Sequence, residues 1–353
     1  MNLFQWLDGL SIYPKIYWKG KDEEIEYAAA GKSLEWDTPP DPIPQARIWG
    51  GKAFSKPEGI WREFPESIFF QPAFEIVQPR PSFAQEKKEP PSIQSRHDLP
   101  AYPEWKKIVR DFLQNKERIG LEKLVLARQT TLELSHAPSP FQLLSQLEQK
   151  NATLFGIQFA PDQAFIGATP EKLYQRIGNK IYSEAIAGTR PLSDDQLLHS
   201  KKDQKEFDYV KEYIKKALAP LCSHLTEGKL ELLATAHVHH LRISFQGELY
   251  PSITDAMLLE ALHPTPAVNG FPKQAAYDYL AQVEPFHRGW YAAALGYISE
   301  EKADFAVGIR CALIDGNKLH LYAGGGLVDG SCPQAEWEER EHKIALFKSA
   351  LRC

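Results

Sequence analysis

The sequence lacks long apolar runs and a large excess of either charge. No apolar run approaches the roughly 18 residues that suggest a membrane span. Lys and Arg number 41 against 46 Asp and Glu, a net charge of −5, which argues against general binding to nucleic acid or anionic membranes. Apolar residues make up 43% and charged residues 25%. These globular values exclude disordered, collagen-like and coiled-coil chains.

Cysteine is scarce and scattered. The four cysteines are Cys222, Cys311, Cys332 and Cys353, and none forms a CxxC pair. A chain of 353 residues can bury a large core without disulfides, so we expect reduced thiols. Residues 1–8 contain neither a basic segment nor an uninterrupted apolar one, which predicts no signal peptide. We therefore expect a cytoplasmic protein and, since no exposed apolar stripe stands out, a monomer.

Proline marks the main boundary along the chain. Six prolines between residues 79 and 103 lie in one polar stretch, which predicts a linker or exposed connection. We accordingly separate residues 1–100, a variable N-terminal part that completes the fold, from a core at residues 101–353. Both parts are expected to form one structural domain.

Beyond residue 100, strand and helix patterns follow one another closely. Strands are predicted at residues 121–134, 153–160, 164–168, 181–187, 241–249, 291–299, 303–314 and 318–323. Helices are predicted at residues 139–150, 203–218, 255–262, 273–283 and 336–351. Many strands are joined by hairpin-length turns, so the sheets should be largely antiparallel.

Two carboxylate pairs have helical spacing. Asp203 and Glu206 are three residues apart, and Glu336 and Glu339 repeat this spacing on the last predicted helix. If the pairs faced each other, their oxygens would suit a hard cation such as Mg²⁺. The spacing alone is equally typical of two solvated helix faces.

Two features could bind an anion. Arg310 lies in the apolar run 305–312, predicted to be a strand, where it is either a fork for a carboxylate or a solvated side chain. Gly324, Gly325 and Gly326 follow a strand predicted to end at Ala323. They form either a turn with positive φ or a segment whose N–H groups approach an anion.

Lys123 and Glu171 are candidates for proton transfer. A buried Lys123 would lose its proton more easily, because burial disfavours the ammonium, but most strand lysines are exposed. Glu171 follows Thr169-Pro170 and is either a proton donor of raised pKa or a glutamate in the first turn of a helix.

Histidines complete the set of candidates. His237 and His239 would share a strand face, and His240 is adjacent, but no third ligand with metal spacing is evident. We therefore do not expect zinc. His263, which begins the motif His-Pro-Thr-Pro-Ala, is left without a role at this point.

Taken together, these segments resemble the chorismate-utilising enzymes, and among them the isochorismate synthases. The resemblance runs from residue 121 to the end of the chain, whereas residues 1–100 match weakly, through GGKAF at 50–54. The motifs occur in order: KLVLAR (123–128), GATPEKL (167–173), EAIAGTR (184–190), KDQKE (202–206), HPTPAVNG (263–270), RGWY (288–291), IRCA (309–312), AGGG (323–326) and PQAEWEE (333–339).

The resemblance implies an α+β fold of two large, mostly antiparallel sheets packed together, with helices outside and the site in a cleft between the sheets. It makes residues 101–353 the chorismate-binding core. It also implies that water adds at C2 of chorismate while the C4 hydroxyl leaves. By motif, Lys123 is the base and Glu171 the acid, so Lys123 must be neutral and Glu171 protonated.

The resemblance also implies the ligands. Mg²⁺ would be bound by Glu206 and Glu339, then Glu336, with Asp203 acting through water. The residues implied to contact chorismate are Arg310, Tyr291, the backbone of Gly324, Gly325 and Gly326, and the pocket residues Thr189, His263 and Ala187.

Two positions distinguish this chain from relatives. Ammonia-using members lack a lysine at the position of Lys123, and the aminodeoxychorismate branch has a lysine nucleophile in place of Ala187. The alternatives are a salicylate synthase, which goes on to lose pyruvate, and a non-catalytic binder of chorismate-like diacids. Phe207 stands where the family has a histidine beside the metal-binding glutamate. Use of the product for menaquinone, a siderophore or salicylate is left open.

Overall fold

The computed structural model describes residues 2–21, 23–79, 89–147, 150–192, 196–234 and 238–352. Within these ranges the chain forms seven α-helices and twenty strands. The helices are α1 (Leu3–Gly9), α2 (Tyr102–Asn115), α3 (Pro140–Ser145), α4 (Lys201–Leu218), α5 (Asp255–Leu262), α6 (Lys273–Val283) and α7 (Pro333–Ala350).

The strands of the first half are β1 (Lys15–Lys19), β2 (Ile25–Ala30), β3 (Leu34–Trp36), β4 (Arg47–Lys52), β5 (Ser67–Gln71), β6 (Phe74–Pro79), β7 (Ile93–Leu99), β8 (Lys123–Leu134), β9 (Thr153–Ala160) and β10 (Gln163–Thr169). Those of the second half are β11 (Lys172–Ile177), β12 (Lys180–Pro191), β13 (Cys222–Glu227), β14 (Glu231–Ala234), β15 (Val238–Leu249), β16 (Gly270–Phe271), β17 (Ala294–Ser299), β18 (Lys302–Val307), β19 (Cys311–Asp315) and β20 (Lys318–Leu327).

The strands form two ten-stranded sheets. The first has the order β16-β8-β20-β19-β10-β9-β1-β2-β6, with β7 paired to β8. The second has the order β13-β15-β12-β11-β18-β17-β4-β5-β3, with β14 paired to β15. The described strand pairs are antiparallel. The expected fold of two large antiparallel sheets is thus confirmed.

The main core lies between the sheets. Side chains alternate between the two faces of a strand, and in β1 Ile16 and Trp18 belong to this core while Tyr17 packs on the opposite face. Trp18 meets Trp49 of the second sheet with ring centroids 6.2 Å apart. Burial of such large apolar surfaces is the dominant favourable contribution to the stability of the folded sheets.

Helices cover the outside. α1, α3 and α7 share a second apolar cluster with the outer face of the first sheet, through residues such as Leu7, Leu144 and Phe347. α4 packs against β12 and begins at Ser200, whose side chain accepts a hydrogen bond from the Asp203 N–H and caps the helix. None of the helices in the described ranges is long and apolar enough to cross a membrane.

Some predicted elements are wrong in extent. The predicted strand 303–314 is two strands, β18 and β19, which belong to different sheets. The predicted strand 291–299 begins at Ala294, the strand 318–323 continues to Leu327, and the helix 139–150 ends at Ser145. The apolar run through 305–312 hides the change of sheet, because both strands are buried.

Residues 1–100 contribute to both sheets. β1 lies between β2 and β9 in the first sheet, and β4 lies between β5 and β17 in the second. Residues 80–88 of the proline-rich stretch lie outside the described residues. The strands on either side of it, β6 and β7, belong to the same sheet, so this segment connects parts of one sheet rather than two domains.

Candidate active site

Two crossings between the sheets lie side by side and form the centre of the site. Pro170 and Glu171 carry the chain from β10 to β11, and residues 308–310 carry it from β18 to β19. The crossings are hydrogen-bonded to their surroundings: Val307 N donates to Glu171 O at 3.0 Å, and Ala168 N donates to Arg310 O at 3.1 Å. Glu171 is therefore fixed by a two-residue connection, not by the first turn of a helix.

A narrow cavity opens at these crossings. Its lining combines carboxylates, cations, aromatic rings and strand backbone: Pro170, Glu171, Ile186, Ala187, Gly188, Thr189, Glu206, His240, Tyr291, Ile309, Arg310, Tyr322, Ala323, Gly324 and Lys343. The structure thus brings Glu171, Thr189, Ala187, Tyr291 and Arg310 to one cavity, although they come from four separate stretches of sequence.

Arg310 lies in the crossing and not inside a strand, contrary to the prediction. Its backbone has φ +50°, which is uncommon for a residue with a side chain. The residue is partly buried, and the loss of hydration lowers the pKa of Arg310 to about 10, so the guanidinium is still charged at neutral pH. Glu339 is the carboxylate whose charge acts on it. Arg310 is therefore a partly buried cation that lines the cavity.

His240 is a site residue that the sequence patterns missed, since it was considered only for zinc. Its Nε2 lies 3.4 Å from Arg310 Nη2, and its Nδ1 lies 3.1 Å from Thr189 Oγ1. A bulge brings Thr189 opposite His240, where Gly188 adopts φ +67°. Burial lowers the pKa of His240 to about 3, so a neutral ring orients Arg310. His237 lies outside the described residues.

The three glycines form part of a strand, contrary to the predicted turn. β20 pairs with β8 along its whole length, but with β19 only as far as Tyr322. Gly324 lies opposite Ala127, whose N–H donates to Glu284 on the far side. Facing residues of an antiparallel pair bond to each other or both turn away, so the Gly324 N–H points to the uncovered edge. Because the pairing with β8 has the same register at Gly326, the Gly326 N–H points to the same uncovered edge.

The glycines also make room for the site side chains. A Cβ on Gly326 would overlap Glu206 Oε1 and would lie 2.9 Å from Lys123 Cε. A Cβ on Gly324 would lie 2.5 Å from Tyr291 Oη. Any side chain at these positions would therefore displace the groups proposed for chemistry.

Lys123 is fully buried at the start of β8. Its Nζ lies 3.4 Å from Glu206 Oε1 and 3.5 Å from the Glu206 carbonyl oxygen. Burial lowers the pKa of Lys123, and the charges of Glu206 and Glu171 oppose this shift. Lys123 is not among the residues that line the cavity, whereas its partner Glu206 is.

The pKa of Glu171 is shifted in the opposite direction from that of Lys123, that is, upward. Burial and, after it, the nearby Glu184 raise the pKa of Glu171, Lys123 opposes them, and the net pKa is about 7. Thr265 Oγ1 lies 3.4 Å from Glu171 Oε1. A buried base of lowered pKa and a buried acid of raised pKa are thus present, as proton transfer near neutral pH requires.

The four predicted metal ligands lie in α4 and α7, and each is paired with a cation. Glu206 pairs with Lys123, Asp203 with Arg190, Glu339 with Lys343, and Glu336 with both Lys202 and Arg340. Within the described ranges, no three Asp, Glu, His or Cys side chains already form a metal-binding cluster.

The carboxylates nevertheless share one region. The loss of hydration is the main cause that raises the pKa of Glu206. The charges of Glu339 and Glu336 also raise it, and the charge of Lys123 lowers it. Burial opposes ionisation of Glu339, but Lys343 and Arg340 lower its pKa to about 2. Glu336 and Glu339 line an adjoining cavity with Asp203. The donor chemistry fits a hard cation, which would replace the lysine partners.

His263 is not among the residues that line the cavity, so its predicted contact with the substrate stays a prediction. It follows α5 directly, and its buried ring lies near the Ala53 backbone, Lys52 and Lys273. The motif reaches the site through Thr265 instead. Phe207 likewise faces away from the cavity and belongs to the core.

The chain is similar in sequence to a family of known proteins and to individual members of it. Residues 78–352 match the family described as chorismate binding enzyme. The isochorismate synthase MenF of Haemophilus influenzae is 30% identical over 391 aligned positions, which cover 98% of this chain and 88% of that protein. The isochorismate synthase MenF of Pasteurella multocida is likewise 30% identical, with 99% and 90% covered.

Solved structures of isochorismate synthases superpose on this chain over nearly its whole length. MenF of Escherichia coli, the menaquinone-specific isochorismate synthase, superposes with a TM-score of 0.87 at 25% identity, covering 99% of this chain and 91% of that one. The 2,3-dihydroxybenzoate-specific isochorismate synthase DhbC of Bacillus anthracis gives a TM-score of 0.84 at 26% identity, with 99% of both chains covered.

Proposed function

This chain belongs to the chorismate binding enzyme family, and we propose that it is an isochorismate synthase, which converts chorismate into isochorismate. The relatives named for this activity match nearly the whole chain. The observation that carries the proposal is the pair of buried groups with opposite pKa shifts, Lys123 and Glu171, beside a cavity that is also lined by the cation Arg310.

The two groups supply the two proton transfers of the reaction. Water is a poor nucleophile, so neutral Lys123 takes a proton from it as it adds to C2 of the ring. Hydroxide is a poor leaving group, so protonated Glu171 donates its proton to the C4 hydroxyl, which departs as water. One water enters and one leaves, and the product is an isomer of the substrate.

Arg310 holds a carboxylate of the substrate. Its guanidinium is charged, partly buried and oriented by His240, and such a fork binds carboxylates well. The N–H groups of Gly324 and Gly326 face the same uncovered strand edge, and Tyr291 lies beside Gly324. These groups bind the pyruvyl-side carboxylate of chorismate.

Substrate binding requires the site to widen. The free space inside the cavity is about 60 Å³, which is room for only a few water molecules. Lys343, Glu206 and Arg310 line this space, and their long side chains can move. A dianionic ligand would draw the two cations toward itself and away from their present neighbours.

Mg²⁺ is the proposed cofactor, held by Glu206 and Glu339, with Glu336 next and Asp203 acting through water. When bound there, the cation would supply positive charge that offsets the repulsion among these carboxylates and the carboxylates of the substrate. Isothermal titration of the protein with MgCl₂ tests this, and Glu339→Gln should weaken Mg²⁺ binding at least tenfold. Unchanged binding in this variant would remove Glu339 from the ligand set.

Turnover of chorismate in ¹⁸O-labelled water tests the activity. With Mg²⁺ we expect a labelled isomer of chorismate and no pyruvate, and with EDTA no product, as separated by chromatography and mass spectrometry. Salicylate with pyruvate would identify a salicylate synthase instead. Bound but unchanged chorismate would identify a binder. The use of the isochorismate for menaquinone, a siderophore or salicylate depends on neighbouring enzymes, because structures of a menaquinone-specific and a 2,3-dihydroxybenzoate-specific relative both superpose on this chain.

A further inference from the structure

The segment that follows β1 reaches from the first sheet to the turn that carries Glu171. Lys21 Nζ donates to the Pro170 carbonyl oxygen at 3.0 Å and to Glu184 Oε1 at 2.6 Å. The side chains of Lys21 and Glu184 are only 2% and 1% exposed. A buried ion pair therefore lies directly against the turn of the proposed acid.

Glu184 binds the other side of the same turn. Its Oε1 also accepts a hydrogen bond from the Lys172 N–H at 3.2 Å. The pair thus contacts the residue before Glu171 through Lys21 and the residue after it through Glu184. Since both contacts are with backbone atoms, they fix the position of the Glu171 main chain whatever its side chain does.

Few other charges face these groups. Tyr182 Oη lies 3.4 Å and Arg242 Nη1 3.8 Å from Glu184 Oε2. Around Glu171 itself, the charged neighbours are Glu184, Lys123 and Lys21, and Thr265 is the hydrogen-bonding neighbour. The two members of the pair act on Glu171 in opposite directions.

We propose that Lys21 and Glu184 are a positioning pair for the acid, which holds the turn of Glu171 and sets the pH range over which Glu171 can donate its proton. This inference rests on the proposed function. It also gives the N-terminal part a place in the site, since Lys21 is contributed from residues 1–100.

The direction of each effect follows from charge. A negative neighbour disfavours the ionised carboxylate, and Glu184 accordingly raises the pKa of Glu171, whereas the positive Lys21 lowers it. Glu171 must be protonated to act, so activity falls as the pH rises through its pKa. Removing the charge of Lys21 should extend activity to higher pH, and removing that of Glu184 should restrict it to lower pH.

The experiment compares the pH dependence of kcat in Lys21→Gln and Glu184→Gln, two variants that keep a hydrogen-bonding amide. In each variant, kcat falls on the alkaline side of the pH profile, here called the alkaline limb. The midpoint of this limb should lie about one pH unit higher in Lys21→Gln than in Glu184→Gln. A merely structural pair would lower kcat or the melting temperature in both variants without separating their limbs. A separation below about 0.3 pH unit overturns the proposal.

Two further variants serve as controls. Lys21→Arg keeps the charge and should keep the limb of the wild-type protein. Lys302→Met removes a lysine that pairs with Glu23 in the same segment, but Lys302 is not among the charges that act on Glu171, so its limb should also be unchanged. If Lys21→Gln does not fold, Lys21→Met replaces it in the comparison.

Failure of the proposed function can be separated from failure of this inference. If the wild-type protein leaves chorismate unchanged, the activity is refuted and kinetics give no limb. The titration of Glu171 is then followed by carbon NMR of glutamate labelled at the side-chain carboxyl, with Glu171→Gln to assign the signal. The pKa of Glu171 should again be higher in Lys21→Gln than in Glu184→Gln, and equal values overturn the pair.

Discussion

At the scale of single residues, burial determines the chemistry of the site. Lys123 and Glu171 are ordinary residue types whose pKa values move toward each other because each is removed from water. The motifs named both residues. They did not show that Lys123 contacts Glu206 or that Glu171 lies on a crossing between sheets, because both facts depend on elements far apart in sequence.

The first residue-scale prediction concerns Lys123. Lys123→Met keeps most of the buried volume but cannot accept a proton, so kcat should fall by a factor of about 10²–10⁴. Steady-state kinetics measure the fall, and calorimetric titration should show that chorismate still binds. Lys318→Met, at the exposed start of β20, is the matched control. Turnover of the Lys123 variant at the wild-type rate would show that another group is the base.

The second residue-scale prediction concerns how kcat depends on pH through the protonation of Glu171. Its pKa is raised to about 7, and the protonated form is the active one. The value of kcat should therefore fall about tenfold for each pH unit above this pKa. Glu171→Gln should lose activity about 10²–10⁴-fold and should no longer show this limb. A rate that stays level up to pH 9 would contradict the assignment of Glu171 as the acid.

At the scale of elements, the break between β18 and β19 creates the site. Among the described strands, β19 pairs with β20 only as far as Tyr322, so the N–H groups of Gly324 and Gly326 face an edge that β19 does not cover. The sequence predicted β12, β15, α4 and α7 closely. It did not predict the break, because an apolar run shows burial and not the sheet to which a buried strand belongs.

A substitution in β20 tests this arrangement. Gly326→Ala introduces a Cβ that would overlap Glu206 Oε1, so Glu206 and the adjacent Lys123 must move. We expect kcat/KM to fall about 100-fold, measured with chorismate and Mg²⁺. Gly9→Ala, where a Cβ meets nothing within 4 Å, is the control and should retain full activity. Full activity of Gly326→Ala would mean that Glu206 need not lie against the strand.

At the scale of the whole molecule, residues 1–100 are part of both sheets. β1 and β4 are interior strands, and they carry the core residues Ile16, Trp18 and Trp49. The weak resemblance of this part to the family suggested variability, yet its strands complete the hydrogen bonding of β9 and β17. Lys21 further links it to the site.

A truncation tests the dependence of the fold on this part. A chain of residues 101–353 alone would expose the edges of β9 and β17 and a large part of the core. We expect it to be insoluble or to lack a cooperative thermal transition, as measured by circular dichroism. A soluble fragment that unfolds cooperatively would show that the core is an independent domain.

The oligomeric state is a separate prediction at the scale of the whole molecule. The sequence indicates a monomer, and light scattering after size-exclusion chromatography should give a mass near 40.0 kDa. A mass near twice this value would show a dimer, and the exposed apolar residues Phe74 and Val77 on the edge strand β6 would then be the first surface to mutate.

The sequence by itself indicated largely antiparallel sheets, through strands joined by short turns, and the family, through motifs whose order is preserved along the chain. The fold of two packed sheets was implied by that resemblance. The sequence also identified Lys123, Glu171, Glu206 and Arg310 as candidates. Only the tertiary structure decided which of these face one cavity, because antiparallel pairing joins strands far apart in sequence. It added His240 to the cavity lining and placed Lys21 against the turn of Glu171, and both positions follow from strand register and sheet packing rather than from any local pattern.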